Sequence, residues 1–238
     1  MSASSATAAI PPDFLLSVVI PVYNEVKTLE AVLARVRASG VPSEIILVDD
    51  GSTDGTRELL AKLGVDSDLH ILLHEKNRGK GAALRTGFAA AKGTAILIQD
   101  ADLEYDPADY RALVTPIATG EADVVYGSRF LESHAGTDFV HAFGNRMVTW
   151  ISNLRTGLAL TDVETCYKLV RREVLQAILP ELREEGFAIE LELTSQLARQ
   201  RGLRWREVPI RYQARSWSEG KKLGFSDVLW TLWCVWRY

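Results

Sequence analysis

Asp100 and Asp102 stand two positions apart at the end of the apolar run AILIQ, with Ala101 between them and Glu104 two positions further on. In an extended segment, side chains at i and i+2 point the same way, so the two carboxylates can address one ion. Oxygen-only donors suit Mg²⁺ or Mn²⁺, and Mg²⁺ takes one or two carboxylates and completes its shell with water and phosphate oxygens. The bland alternative is a turn with solvated acids, since D-x-D alone arises often by chance. Its place directly after a buried apolar run favours the metal.

Other polar clusters follow apolar runs in the same way: PVYNE (21–25), VDDGSTDG (48–55), HEKNRGKG (74–81) and YGSRF (126–130). In DDGSTDG, a turn that caps the next helix explains Ser52, Thr53, Asp54 and Gly55 well. It explains Asp49 and Asp50 less well. NRGKGAALRTG offers glycines that let backbone approach a ligand and a lysine, Lys80, that could reach a phosphate at a helix start. It is neither a P-loop nor a dinucleotide fingerprint, because G-x-x-x-x-G-K-S/T is absent and Leu84 stands where a third glycine belongs.

The elements that must position these clusters are legible from periodicity. Buried strands are expected at 17–23, 44–50, 69–75, 94–100 and 122–130, with helices at 24–39, 54–64, 79–93 and 107–120. Val26, Leu29, Val32, Leu33 and Val36 carry the apolar spacing of the first helix, and Gly40 ends it. Continuous apolar strands alternating with helices indicate a parallel sheet covered on both faces. In such a sheet ligands bind beyond the carboxyl ends of the strands, where all five polar clusters fall. After Phe130 the rhythm changes. A helix is expected to about Leu158, a strand and helix over 164–178, a helix over 187–202 and a strand over 203–214. The tail 224–238 has an apolar stripe at helical spacing, Phe225 to Trp236.

The chain has 238 residues, enough for a sizeable core, with 47% hydrophobic and 24% charged residues. A net charge of −4 argues against a nucleic-acid partner. Cys166 and Cys234 are too few and too far apart for a disulfide framework, and a reducing compartment is the better reading. No uninterrupted run of 18 apolar residues predicts a spanning helix, and MSASSATAAIPPDFLL lacks the basic flank and long apolar core of a secretory signal. Residues 1–13 read as a flexible lead-in and 14–238 as one domain, divided near residue 130 where the strand-helix rhythm changes.

Taken in order, VVIPVYNE (18–25), ILVDDGSTDGT (46–56), NRGKGAALRTGF (77–88), QDADLEYDP (99–107) and VVYGSRF (124–130) resemble the inverting GT-A glycosyltransferases of family 2. TDVETCYKLVRREVL (161–175), GFAIELELTSQLARQ (186–200) and the segment 207–238 look like the polyprenyl-phosphate sugar transferases among them, which include dolichyl-phosphate mannose synthases and glucosyltransferases. The resemblance spans roughly residues 15–238. It implies a mostly parallel α/β GT-A fold and a donor such as GDP-mannose or UDP-glucose. It also implies that 14–130 is a nucleotide-sugar half and 131–238 an acceptor half. Pro21, Tyr23, Glu25, Asp49 or Asp50, and Lys80 would border the nucleotide. Asp100 and Asp102 would hold a cation on the diphosphate, with Glu104 nearby. Arg129 would face the sugar phosphate or acceptor phosphate, and Arg146, Arg215 and Lys221 or Lys222 would add positive charge. Many relatives carry S/C-G-F-K/R where this chain has TCYK (165–168), which bears on acceptor or sugar preference.

A phosphate acceptor is already ionised at neutral pH and needs no strong base; the task is to bring two anions together, for which arginine is suited. A hydroxyl acceptor would need a carboxylate base, with Glu190 or Glu192 as candidates and an exposed helix face as their alternative reading. The tail packs Trp230, Trp233, Trp236 and Tyr238 near basic residues, a composition of membrane interfaces and equally of a core-packing helix. The helix near 139–158 could also face lipid. The reading is peripheral attachment to the cytoplasmic membrane face. The alternatives are a soluble family 2 transferase acting on a hydroxyl, a nucleotidyltransferase, and a degenerate nucleotide-sugar-binding subunit.

Overall fold

A computed structural model describes residues 9–63, 68–131 and 139–214. Arg215, Lys221, Lys222 and the tail expected to be helical lie outside the described residues, as does most of the lead-in.

The strands are β1 (Leu16–Val22), β2 (Ser43–Asp49), β3 (Leu69–Leu73), β4 (Ala95–Ile98), β5 (Val124–Ser128), β6 (Lys168–Arg171) and β7 (Trp205–Pro209). They form one sheet in the order β3-β2-β1-β4-β6-β5-β7. β1 pairs in parallel with β2 and β4, β2 with β3, and β5 with β7. β6 runs antiparallel to both neighbours, β4 and β5. The sheet is thus mostly parallel, as expected, and the single reversed strand comes from the second half of the chain. β1, β2, β4 and β5 are buried almost throughout, which their apolar runs require.

The helices are α1 (Leu29–Ala38), α2 (Thr56–Leu63), α3 (Lys80–Ala90), α4 (Tyr110–Ala118), α5 (Phe139–Thr156), α6 (Arg172–Ile178) and α7 (Ile189–Arg199). α1 starts five residues later than its apolar spacing suggests. Asn24 takes a left-handed φ of 55° and residues 26–28 form a turn before the helix, so Val26 is not a helical residue. Ser52 and Thr53 hold Asn24: Asn24 N–H donates to Ser52 Oγ (2.9 Å) and Thr53 N–H to Asn24 Oδ1 (2.8 Å).

The glycines of NRGKG serve packing within the chain. Gly79 caps α3 with φ 96°, and a Cβ there or at Gly81 would collide with the carbonyls of Glu185 and Glu184. The Glu185 carbonyl accepts from Gly81 N–H (2.7 Å) and Ala82 N–H (3.3 Å), taking up the first donors of α3. The reading of these glycines as room for a ligand is therefore corrected: they admit residues 184–186. Gly79→Ala combines a strained φ with a backbone collision and is expected to cost roughly 2–4 kcal/mol, measurable as a lower urea midpoint. An unchanged midpoint would contradict this packing.

Candidate active site

Because β1 to β5 run the same way, the segments after them converge on one edge. Tyr23 is exposed there. Pro21, the sixth residue of β1, is partly buried. Glu25 Oε2 accepts from the Thr28 hydroxyl (2.9 Å).

Asp49 and Asp50 are buried and organise the neighbouring loops. Asp49 accepts from Gly51 N–H (3.2 Å) and pairs with Arg57 (2.7 Å). Asp50 accepts from Gly79 N–H (2.7 Å) and Arg78 N–H (3.0 Å) and contacts His74 Nδ1 (2.7 Å). Both carboxylates hold the walls of this edge, and Asp50 fixes the residue before Lys80.

At the end of β4, Gln99 is fully buried. Its Oε1 accepts from the hydroxyls of Tyr110 (2.7 Å) and Tyr167 (2.8 Å), and its Nε2 donates to the Asp100 carbonyl (2.9 Å). The tyrosine of TCYK thus lies in the core, where its hydroxyl anchors the acidic loop, and Cys166 N–H donates to Tyr105 (3.0 Å). Ala101 is buried between the two aspartates.

Asp100 does not stand alone. Lys80 Nζ lies 2.7 Å from Asp100 Oδ1 and 2.6 Å from Glu190 Oε1. Glu190 Oε2 in turn lies 3.5 Å from Nζ of Lys168, which is fully buried. Lys168 also donates to the Val163 carbonyl (2.8 Å) and the Thr165 carbonyl and sits over the Tyr126 ring (4.9 Å). Burial opposes the charge on Lys80, but Asp100 and Glu190 outweigh it and hold its proton well beyond the ordinary lysine range. Burial lowers Lys168 despite Glu190. Glu190 and Glu192 are not on an exposed face. Glu192 is fully buried and caps Arg183 N–H (3.0 Å) and Glu184 N–H (2.8 Å).

Asp102 Oδ1 accepts from Glu104 N–H (3.1 Å). Glu104 turns toward the second half of the chain: its Oε2 accepts from Tyr212 (2.9 Å) and its carbonyl from Gln213 N–H (2.9 Å). No group of three or more His, Cys, Asp or Glu side chains converges as a cation site among the described residues, so Glu104 does not complete a triad with the aspartates. Two aspartates on one loop, one of them already binding a cationic ammonium, still fit an ion that takes its remaining ligands from phosphate and water.

Arg129, just past β5, is clamped by Asp162. Nε and Nη2 each lie 2.7 Å from one carboxylate oxygen, and its backbone N–H donates to the same group (3.1 Å). Asn145 of α5 adds a bond to Asp162 (3.2 Å), and Glu207 of β7 accepts from the backbone N–H groups of Thr161 (2.9 Å) and Asp162 (3.2 Å). Arg129 lies 5.0 Å from the Tyr212 ring and 5.7 Å from Phe130, which Arg146 approaches from 6.0 Å. The fold thus gathers Arg129 and Arg146 around one aromatic ring.

Sequence reasoning missed Asp162, Lys168, Gln99 and Glu164 as site residues. The available signal was the density of polar types in TDVETCYK within an otherwise apolar stretch. Glu164 makes no hydrogen bond or ion pair among the described residues, and burial raises its pKa to about 7. Arg129 and Lys168 favour its charge, and Asp162 and Glu190 oppose it. Between the ordinary glutamate value and about 7, the folded chain keeps a proton that the unfolded chain has released. Stability from this group therefore falls as pH rises through that window and levels off above it. Glu164→Gln is expected to match the parent near pH 4.5 and exceed its stability by roughly 1–3 kcal/mol at pH 8. Chemical denaturation at both pH values checks this, and equal stability at pH 8 would refute it.

One face of α5 presents Met147, Trp150 and Leu154 to solvent at helical spacing, with Trp150 at 62% and Leu154 at 66% exposure. No helix among the described residues is long and apolar enough to cross a membrane.

A mostly parallel sheet with acids and bases gathered at its carboxyl edge, and one reversed strand leading into the second half, places a candidate ligand site at that edge. Residues 17–179 match the family described as Glycosyl transferase family 2, and the chain belongs to that family. It is 31% identical over 215 residues to an undecaprenyl-phosphate mannosyltransferase of Micrococcus luteus, covering 87% of this chain and 86% of that protein. It is 35% identical over 170 residues to an undecaprenyl-phosphate 4-deoxy-4-formamido-L-arabinose transferase of Pectobacterium carotovorum, covering 69% of this chain and about half, 51%, of that longer protein. Among solved structures, a Mycobacterium tuberculosis glucosyl-3-phosphoglycerate synthase in complex with Mn²⁺, UDP and phosphoglyceric acid aligns with a TM-score of 0.66 at 24% identity, over 87% of this chain and 73% of that one. At that identity the likeness shows the shared GT-A fold. The chain is a family 2 glycosyltransferase of GT-A fold.

Proposed function

We propose that the protein transfers a hexose from a nucleotide diphosphate sugar to a polyprenyl phosphate, with inversion. The observation that carries the reading is the gathering of Arg129 and Arg146 on the acceptor side of an acidic loop whose Asp100 already binds a cation. It is supported by the undecaprenyl-phosphate transferases among the relatives. The donor's nucleotide lies against Pro21, Tyr23, Glu25 and the loop that Asp50 fixes, and its diphosphate lies between Lys80 and the aspartates. Asp100 and Asp102 would hold Mg²⁺ or Mn²⁺, which would offset the charge that develops on the leaving diphosphate. Lys80 adds a further cation beside it. Arg129 and Arg146, with Arg215 and Lys222 from outside the described residues, receive the acceptor phosphate, whose oxygen attacks the anomeric carbon opposite the leaving group. No proton need be removed from an ionised phosphate, and Glu190 is engaged by both Lys80 and Lys168. The exposed apolar face of α5, together with the tail, sets the enzyme peripherally on the membrane surface that carries the lipid.

The test is a screen of GDP-mannose and UDP-glucose against short-chain polyprenyl phosphate, with and without Mg²⁺ or Mn²⁺, following nucleoside diphosphate release. Turnover confined to non-phosphorylated acceptors overturns the lipid-phosphate reading. Sedimentation with anionic liposomes checks the membrane part, and equal recovery of the parent and a Trp150→Ser/Leu154→Ser variant removes α5 from it.

A second reading, transfer to a hydroxyl, is favoured by Glu164 alone, a carboxyl without a hydrogen bond or ion pair among the described residues whose pKa burial raises to about 7. It predicts a base ionisation near pH 7 in kcat/KM that disappears in Glu164→Gln.

A further inference from the structure

Lys80 bridges two carboxylates of different character. Its ammonium engages both oxygens of Asp100, at 2.7 Å and 3.0 Å, and Glu190 Oε1 at 2.6 Å. Asp100 is on the acidic loop after β4, whereas Glu190 is on α7 and is anchored on its other oxygen by the buried Lys168. The root of Lys80 cannot move far. It is the first residue of α3, behind Gly79 at φ 96°, and the next two N–H groups are held by the Glu185 carbonyl. The freedom that remains is in the flexible four-carbon stem, which lets the ammonium favour one carboxylate or the other.

Two cations cannot share the Asp100 carboxylate at these distances without strong repulsion, because the site is largely withdrawn from water. Accepting the reading that Asp100 and Asp102 hold the divalent cation, we propose that Lys80 is the resident counter-cation of Asp100 in the empty enzyme, and that Glu190 is the positioning residue that receives the ammonium when the cation binds. Lys168, 3.5 Å from the other oxygen of Glu190, holds that carboxylate in place for the exchange. The released ammonium stays beside the acidic loop, where the donor's diphosphate supplies a new partner. Metal and nucleotide binding are then coupled through one lysine: the metal alone must displace Lys80 from Asp100, and the nucleotide offsets the displacement.

The experiment is Mn²⁺ titration of the full chain, followed by electron paramagnetic resonance of the free ion, with and without UDP or GDP. The parent is expected to bind Mn²⁺ weakly alone and more tightly with nucleotide. Lys80→Met is expected to bind Mn²⁺ alone about 10-fold more tightly than the parent and to gain less from nucleotide. Glu190→Gln, which among the described residues leaves Asp100 as the carboxylate paired with Lys80, is expected to bind Mn²⁺ alone several-fold more weakly. Lys80→Gln repeats the test should Lys80→Met fail to fold, judged by its thermal transition. Unchanged or weaker Mn²⁺ binding in a folded Lys80 variant overturns the exchange. Asp102→Asn separates the two ideas. If it binds Mn²⁺ as the parent does, or if the parent binds none with either nucleotide, the metal reading itself fails. If it loses Mn²⁺ while the Lys80 variants match the parent, only the exchange fails.

Discussion

Asp102→Asn is expected to lower kcat/KM at least about 10³-fold, about 4 kcal/mol of transition-state stabilisation, while leaving the fold intact. The substitution keeps the oxygen that accepts from Glu104 N–H, so the turn after β4 retains that bond. It removes one of two charges available to a divalent cation on this loop, and Asp100, already bound to Lys80, cannot replace it. Stability is expected to change by no more than about 0.5 kcal/mol, as for a substitution that removes no buried packing. Steady-state kinetics across a Mn²⁺ series, beside a denaturant titration, separates the two effects. Full metal-dependent turnover in the variant removes Asp102 from the site. A collapse of stability would mean that the charge serves the turn.

Arg129→Ala is expected to damage both stability and transfer. Asp162 is fully buried and receives two side-chain bonds from Arg129. Removing one partner of a buried pair leaves an uncompensated charge and typically costs about 3–5 kcal/mol. Asn145 and the Arg129 backbone N–H remain as donors to Asp162 and soften the loss without neutralising it. The double variant Arg129→Met/Asp162→Asn removes both charges and is expected to recover most of the stability. It is not expected to recover transfer to a phosphorylated acceptor, which stays at least about 10²-fold down, since a positive charge held toward an anion is lost in both variants. A double variant that transfers normally would take Arg129 out of phosphate binding. A single variant as stable as the parent would show that Asp162 does not depend on it.

The clamp on Asp162 gives the guanidinium a structural task beside the one proposed for it, and several other residues singled out by type and position also have structural partners. Asp49 and Asp50 stand out because two acids end a buried strand. In the fold they bind loop N–H groups, Arg57 and His74. Glu104, expected near the cation, is instead held by Tyr212, which ties that loop to the second half of the chain. The tyrosine and cysteine of TCYK stand out as substitutions near an acceptor. Tyr167 instead supports Gln99 from within the core, one residue before Asp100.

The order of strands and helices through Phe130, the parallel direction of the first strands and the edge that bears the polar residues were all legible in the chain. Local rules produce them: apolar runs of strand length must be buried on both faces, helices must cover them, and the turns fall at the carboxyl ends. The family motifs were legible for the same reason, since each lies within one such turn. Which charges meet across the edge was not legible. Lys80, Asp100, Glu190 and Lys168 are drawn from α3, the loop after β4, α7 and β6, and Asp162 lies 33 residues from Arg129. Periodicity carries no information about such pairings, because they arise only when β6 reverses into the sheet between β4 and β5 and brings the second half of the chain against the first. The sequence by itself determined a set of acids and bases at one edge of a sheet. The tertiary structure decided which of them neutralise one another, because only there does burial make an unpaired charge too costly to keep.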